Sequence, residues 1–118
     1  MKFFDIAANL SDDQFRGIYN GKPYHKGDFD EIIKRANSYG CDKFLFVGGF
    51  LADTLDSAKL CEGRNNCWTT VGVHPCRVNE IEKDGGKQEE YYKLMEDTII
   101  SLGSKCSAIG ECGLDYDR

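Results

Sequence analysis

Long apolar runs are missing from this 118-residue chain. The longest, such as Phe44 to Val47, are far too short to cross a bilayer. The opening Met1-Lys2-Phe3-Phe4-Asp5 has neither the extended apolar region nor the small-residue cleavage site of a signal peptide. The expected compartment is cytoplasmic or nuclear, with no membrane partner. An excess of positive charge is missing too. The formal net charge is −5, which excludes a protein that holds nucleic acid by bulk basicity. An acidic chain can still handle phosphate if bound divalent cations reverse the local field. Histidine is scarce, with only His25 and His74. No Cys-x-x-Cys pair occurs among Cys41, Cys61, Cys67, Cys76, Cys106 and Cys112, so zinc-ribbon and thioredoxin spacings are excluded. Without a secretory signal, these six cysteines read as buried reduced thiols. Repeats and low-complexity segments are absent. The length suits one domain with one modest core.

What is present is an alternation of strand-like and helix-like runs. Phe3 to Ala8 reads as a first strand. Asp28 is placed to cap a helix, with Glu31 in capping-box position; Phe29, Ile32, Ile33 and Ala36 recur at helical spacing, and Gly40 stops it. Lys43 to Gly49 reads as a second strand. Ala52 to Glu62 reads as a helix with Leu55 and Ala58 inward, and Cys67 to Val73 as a third strand. Arg77 to Lys87, with Gly85-Gly86 and many charges, is expected to be a loop. Gln88 to Leu102 carries a stripe of Tyr91, Met95, Ile99 and Leu102, expected to be core. Lys105 to Glu111 is the fourth strand. This order is the pattern of parallel βαβ units. The segment Leu10 to Gly27, between the first strand and first helix, is long for such a connection, and long loops of this kind carry function.

In parallel α/β architectures, ligands sit at the carboxyl ends of the strands. Here those ends carry Asn9, Gly48-Gly49, the run Gly72-Val73-His74-Pro75, and the run Gly110-Glu111-Cys112-Gly113-Leu114-Asp115. Strand alternation groups Asp5, Ala7 and Asn9 on one face, Thr70, Gly72 and His74 on another, and Ile109 with Glu111 on a third. If those faces point inward, Glu111, His74, Asn9 and Asp5 converge, with glycines leaving room for a ligand or metal. A carboxylate buried within a strand, as Asp5 would be, needs a partner or a metal. Cys76 and Cys112 flank the candidates; Cys112 alternates away from Glu111 and is assigned to packing. Asp12-Asp13 is read as loop surface. These residues point to a metal-assisted hydrolase site without naming a substrate.

Three segments resemble the TatD nuclease family of metal-dependent hydrolases. They are Phe4-Asp5-Ile6-Ala7-Ala8-Asn9-Leu10 followed by Phe15-Arg16-Gly17, then Thr70-Val71-Gly72-Val73-His74-Pro75, then Ala108-Ile109-Gly110-Glu111-Cys112-Gly113-Leu114-Asp115-Tyr116. The first is similar to the family's eukaryotic branch, and the third is the most diagnostic. The resemblance implies a TIM (β/α)8 barrel and divalent-metal hydrolysis of DNA, often as a 3′-to-5′ exonuclease. It implies one or two ions, Mg2+ first, with Zn2+ or Mn2+ as alternatives. It makes Glu111 a metal ligand, His74 a catalytic residue near the phosphate, and Asp5, Asn9 and Asp115 supporting residues.

The sequence departs from the family pattern twice. Where many members carry Asp-x-His-x-His, the chain has Asp5, Ala7 and Asn9, so the histidine pair is missing. A TIM barrel also takes roughly 250 residues, so residues 1–118 are expected to be the N-terminal half of a truncated barrel. About four strands and three helices would leave a sheet edge open to pairing, with homo-oligomers a possible result. Three further readings are an amide or ester hydrolase of the same superfamily, an inactive self-associating fragment, and a cysteine redox or zinc site.

Overall fold

The structure is a computed structural model and describes residues 1–117; the predicted domain's last residue, Arg118, lies outside them. Strand β1 (Phe3–Ala8) is followed by a 3-10 turn (Asp13–Arg16) and a small hairpin of β2 (Ile18–Tyr19) and β3 (Lys22–Pro23). Helix α1 (Phe29–Ser38), β4 (Cys41–Phe46), α2 (Leu51–Cys61) and β5 (Cys67–Val71) come next. A 3-10 segment (Pro75–Gly85), α3 (Gln88–Leu102), a 3-10 turn (Gly103–Lys105) and β6 (Cys106–Ile109) complete the order. The main sheet runs β1-β4-β5-β6, every pairing is parallel, and consecutive crossovers carry α1, α2 and α3. This is the parallel βαβ order that the strand–helix alternation predicts, with the four strands and three helices expected of the first part of a barrel.

The core lies between one face of the sheet and the first two helices. Phe44, Phe46, Cys67, Ala8, Ile33 and Cys61 are buried together, with Phe29, Leu60 and Ala36 against them. Phe44 and Phe46 alternate onto the same face of β4, and their rings stack with centroids 6.3 Å apart. Phe29 meets Phe46 edge-on at 6.0 Å. At the two sheet edges Phe4, Ile6 and Ile109 are exposed, and the Phe4 ring lies tilted against Trp68, centroid to centroid 5.7 Å. β1 and β6 form the two sheet edges.

Several local expectations are corrected. Asp28 occupies the N-cap of α1, but its side chain makes no capping bond, and Glu31 pairs with Lys34 at 3.3 Å instead. The inner face of α2 is Thr54, Ser57 and Cys61, whereas Leu55 is exposed and Ala58 only half-buried. Small side chains win because α2 lies so close to the sheet. A Cβ on Gly48 would fall 2.1 Å from Thr54 Oγ1, so a leucine would not fit there. The stripe on α3 is half-buried rather than core, since α3 has no buried residue. Its Tyr91 has another use. Helix α2 starts at Phe50, which has no capping oxygen, and Tyr91 Oη accepts the hydrogen of Leu51 N at 2.9 Å. Residues 77–87, expected to be a loop, mostly form the 3-10 segment that begins at Pro75, a residue suited to a first helical position. Of the six cysteines expected to be buried, only Cys61 and Cys67 are. Burial pushes the Cys61 thiol up to about 12 and raises Cys67 as well. Cys112 is exposed, against the packing role expected for it.

Candidate active site

Four strand ends build one rim. Asn9 follows β1, Gly49 follows β4, His74 follows β5 and Glu111 follows β6. All four line a single cleft of about 720 Å3 at the carboxyl end of the sheet. The backbone joins these ends. His74 N donates to Gly49 O at 2.8 Å, and Gly110 N donates to Val71 O at 2.9 Å. A Cβ on Gly72 would lie 2.2 Å from the carbonyl carbon of Gly110, so the β5 and β6 ends touch backbone to backbone. The glycines at 48 and 72 therefore serve close packing rather than leaving room for a ligand.

His74 and Glu111 face each other, with Nε2 and Oε1 3.9 Å apart. The ring of His74 is oriented by its other nitrogen, because Nδ1 accepts the hydrogen of Cys76 N at 3.0 Å. In the neutral ring the proton then sits on Nε2, the atom turned toward Glu111. Both side chains are partly exposed, so the pair opens to the cleft.

The wall opposite is a network that the motifs did not reveal. Asp53, in the first turn of α2, accepts from Ser11 Oγ at 2.5 Å and from Gly49 N at 2.7 Å. It ties the loop after β1 to the end of β4, next to His74. Arg16 Nη2 donates to Ser11 O at 2.9 Å and to Asp56 Oδ2 at 3.0 Å. Arg77 lies over the Phe50 ring at 4.1 Å and pairs with Glu80 at 3.6 Å. The lining holds five carboxylates (Asp12, Asp13, Asp53, Asp56 and Glu111) against the guanidiniums of Arg16 and Arg77. Such a lining favours cations over bare phosphate.

The remaining sequence candidates divide. Asp5 is exposed and does not line the cleft; its Oδ1 accepts from Ala7 N at 3.0 Å, where the β1–β4 register is irregular. That irregularity breaks the alternation that was expected to bring Asp5 beside Asn9. Asp115 lies outside the lining and accepts from Cys76 Sγ at 2.9 Å, behind His74. Asp12 and Asp13, read as loop surface, do line the cleft; Asp12 also caps the 3-10 turn through Gln14 N at 2.9 Å. Arg77 and Asp53, which belong to none of the sequence motifs, also line the cleft. The available signal for Asp53 was its place four residues after a strand-end glycine, where a first-turn carboxylate can reach back to free N–H groups. Among the described residues, no group of three or more His, Cys, Asp or Glu side chains is arranged to hold a metal ion. His74 and Glu111 supply two donors, short of a protein ligand set.

Residues 4–118 match the family described as "TatD related DNase". Over 121 residues the chain is 36% identical to the deoxyribonuclease Tat-D of Schizosaccharomyces pombe, covering all of this chain and 38% of that protein. It is 31% identical over 117 residues to the 3′-5′ ssDNA/RNA exonuclease TatD of Escherichia coli, covering 98% of this chain and 37% of that one. A crystal structure of a TatD family hydrolase from Entamoeba histolytica superposes with a TM-score of 0.81 at 38% identity, over 99% of this chain and 39% of that one. An uncharacterized amidohydrolase from Saccharomyces cerevisiae superposes with a TM-score of 0.87 at 30% identity, over 99% of this chain and 38% of that one. The chain thus spans well under half the length of these relatives.

Proposed function

Since the chain belongs to the TatD-related DNase family, we propose that the polypeptide carrying it hydrolyses phosphodiester bonds in nucleic acid, as a divalent-metal-dependent deoxyribonuclease acting from 3′ to 5′. The observation that carries this reading is the convergence of His74 and Glu111, from the ends of different strands, 3.9 Å apart in a cleft at the carboxyl edge of a parallel sheet. With Nδ1 engaged by Cys76 N, His74 presents Nε2–H to the cleft, where it can donate to a phosphate oxygen. Asn9 adds a neutral polar group on the same rim.

These residues do not complete a metal site. His74 and Glu111 give two donors, with no third among the described residues. Metal dependence, with Mg2+ first, therefore rests on family membership and on the acidic lining. It requires donors supplied by residues outside this sequence. Residues 1–118 are read as the N-terminal part of the complete barrel.

The test is single-turnover cleavage of single-stranded DNA by the natural polypeptide with Mg2+. Glu111→Gln should lower kcat/KM by about 100-fold, the scale of losing one charge-stabilising group. Full activity in that variant would remove Glu111 from the site. A second reading, an amide or ester hydrolase, is favoured by the likeness to a structure described as an amidohydrolase. Faster turnover of an acyl ester than of single-stranded DNA would select it.

A further inference from the structure

The connection between β1 and α1 carries a feature that the hydrolytic chemistry leaves unused. From Gln14 to Gly27 there is no acidic residue, while Arg16, Lys22, His25 and Lys26 are all present, in a chain whose net charge is −5. Tyr19 and Tyr24 are interleaved with them. Residues 18–23 form an antiparallel hairpin in which Tyr19 pairs with Lys22. Its turn residues, Asn20 and Gly21, both have positive φ (50° and 74°), the geometry of a tight two-residue turn.

The aromatic groups are held in place. Tyr19 and Tyr24 meet edge to face at 5.6 Å. The Tyr19 hydroxyl lies 3.2 Å from His25 Nε2, and His25 Nδ1 lies 2.7 Å from Lys26 O. With Nδ1–H donating to that carbonyl, Nε2 is left to accept from Tyr19, so the tyrosine ring is braced. Yet Tyr19 is 42% and Tyr24 69% exposed. Large rings fixed in position and facing water have a surface to offer. Lys22 and Lys26 are exposed and pair with no carboxylate among the described residues.

The hairpin is anchored beside the cleft. Both Tyr24 N (2.7 Å) and His25 N (3.4 Å) donate to Gly17 O, so its ends close on the residue after Arg16, which lines the cleft. A Cβ on Gly17 would fall 1.7 Å from His25 O, so only glycine permits this closure.

We propose that this hairpin is a docking platform for one strand of nucleic acid leading to the cleft: Tyr24, braced by Tyr19, stacks on an unpaired base, and Lys22 and Lys26 neutralise adjacent phosphates. The substrate class rests on the nuclease reading above; the platform itself rests on the charge, exposure and bracing of the hairpin. A braced aromatic face is sequence-tolerant, because every base offers a π-surface, and it favours a single strand, because duplex bases are already stacked.

The experiment uses the natural polypeptide and a fluorescein-labelled oligothymidylate of about 12 nucleotides, a length on the scale of one single-strand site. Anisotropy is read in EDTA, so that binding is separated from cleavage. Tyr24→Ala should weaken binding by about tenfold while Tyr24→Phe keeps it, and a blunt duplex should not distinguish the two. The double variant Lys22→Ala/Lys26→Ala should flatten the slope of log affinity against log salt by about 1.4, at roughly 0.7 per phosphate on a single strand. Lys34→Ala, on the outer face of α1, removes a charge elsewhere and should change neither. Matching unfolding curves verify that each variant is folded. The proposal is overturned if the single strand does not bind, if Tyr24→Ala binds it as well as the parent does, or if Tyr24→Ala weakens duplex equally. Hairpin-dependent binding without hydrolysis once Mg2+ is added would sustain the platform and refute the nuclease reading. Hydrolysis with hairpin-independent binding would do the reverse.

Discussion

Asp53 is the residue whose removal tests how the cleft is assembled. Its carboxylate accepts one hydrogen bond from Ser11 Oγ and one from Gly49 N, and it sits in the first turn of α2. Hydrogen bonds to a charged acceptor contribute about 1.5–3 kcal/mol each when well shielded. Asp53 is only half-buried, so the pair contributes about 2–4 kcal/mol, with a few tenths more from the helix dipole. Asp53→Ala should therefore destabilise the natural polypeptide by about 3 kcal/mol in urea unfolding. Gly49 O in turn accepts from His74 N, so loosening the glycine should also displace the imidazole. A misplacement of about 1 Å near the chemistry costs on the order of 100-fold in rate. Asp53→Asn separates charge from geometry. Its carbonyl oxygen can accept from Gly49 N while its amide donates to a rotated Ser11 hydroxyl, so it should cost only about 1 kcal/mol and keep most of the activity. If Asp53→Ala unfolds within about 0.5 kcal/mol of the parent, the network contributes nothing. If it is destabilised but cleaves at the parent rate, the network does not position His74.

Gly48→Ala would place a methyl group 2.1 Å from Thr54 Oγ1 and should cost about 2–3 kcal/mol by overpacking, read as a lower Tm. Ser57→Ala should be neutral or stabilise by up to about 1 kcal/mol, because Ser57 Oγ is buried with no hydrogen-bond partner among the described residues. A clear loss would mean that the hydroxyl has a partner. The Cys61 thiol is pushed from 9.0 up to about 12 by burial, which makes stability pH-dependent on the alkaline side. Above about pH 9 the unfolded thiol ionises while the folded one does not, so this contribution is whole below pH 9 and declines as pH rises toward about 12. Comparing urea midpoints at mildly and strongly alkaline pH should show a steeper fall for the parent than for Cys61→Ala, and equal slopes would refute the assignment.

Element types were readable from the chain because they rest on local periodicity. The alternation of Phe44 and Phe46, the helical spacing of Phe29 and Ile33, and Gly40 as a stop each act within a few residues. The motif order placed His74 and Glu111 at strand ends by the same local logic. What could not be read was anything set by a residue distant in sequence. Leu55 appeared to be the inner residue of α2 on hydrophobicity alone, but the closeness of Gly48 to Thr54 lets only small side chains face inward. Asp28 looked like a cap, yet the cap that matters at α2 is the hydroxyl of Tyr91, 40 residues away. Asp5 left the expected face because the pairing of β1 with β4 slips between Asp5 and Ala8.

By itself, the sequence determined the elements, their parallel order and which strand ends carry reactive groups, since each follows from side-chain chemistry over one or two turns. Tertiary structure alone decided that Asp12, Asp53 and Arg77 share a cleft with His74, and that Asp5 does not. It also decided that α2 packs through the small side chains of Thr54, Ser57 and Cys61. The physical reason is that a contact between distant segments depends on how closely two backbones approach, which no local pattern encodes.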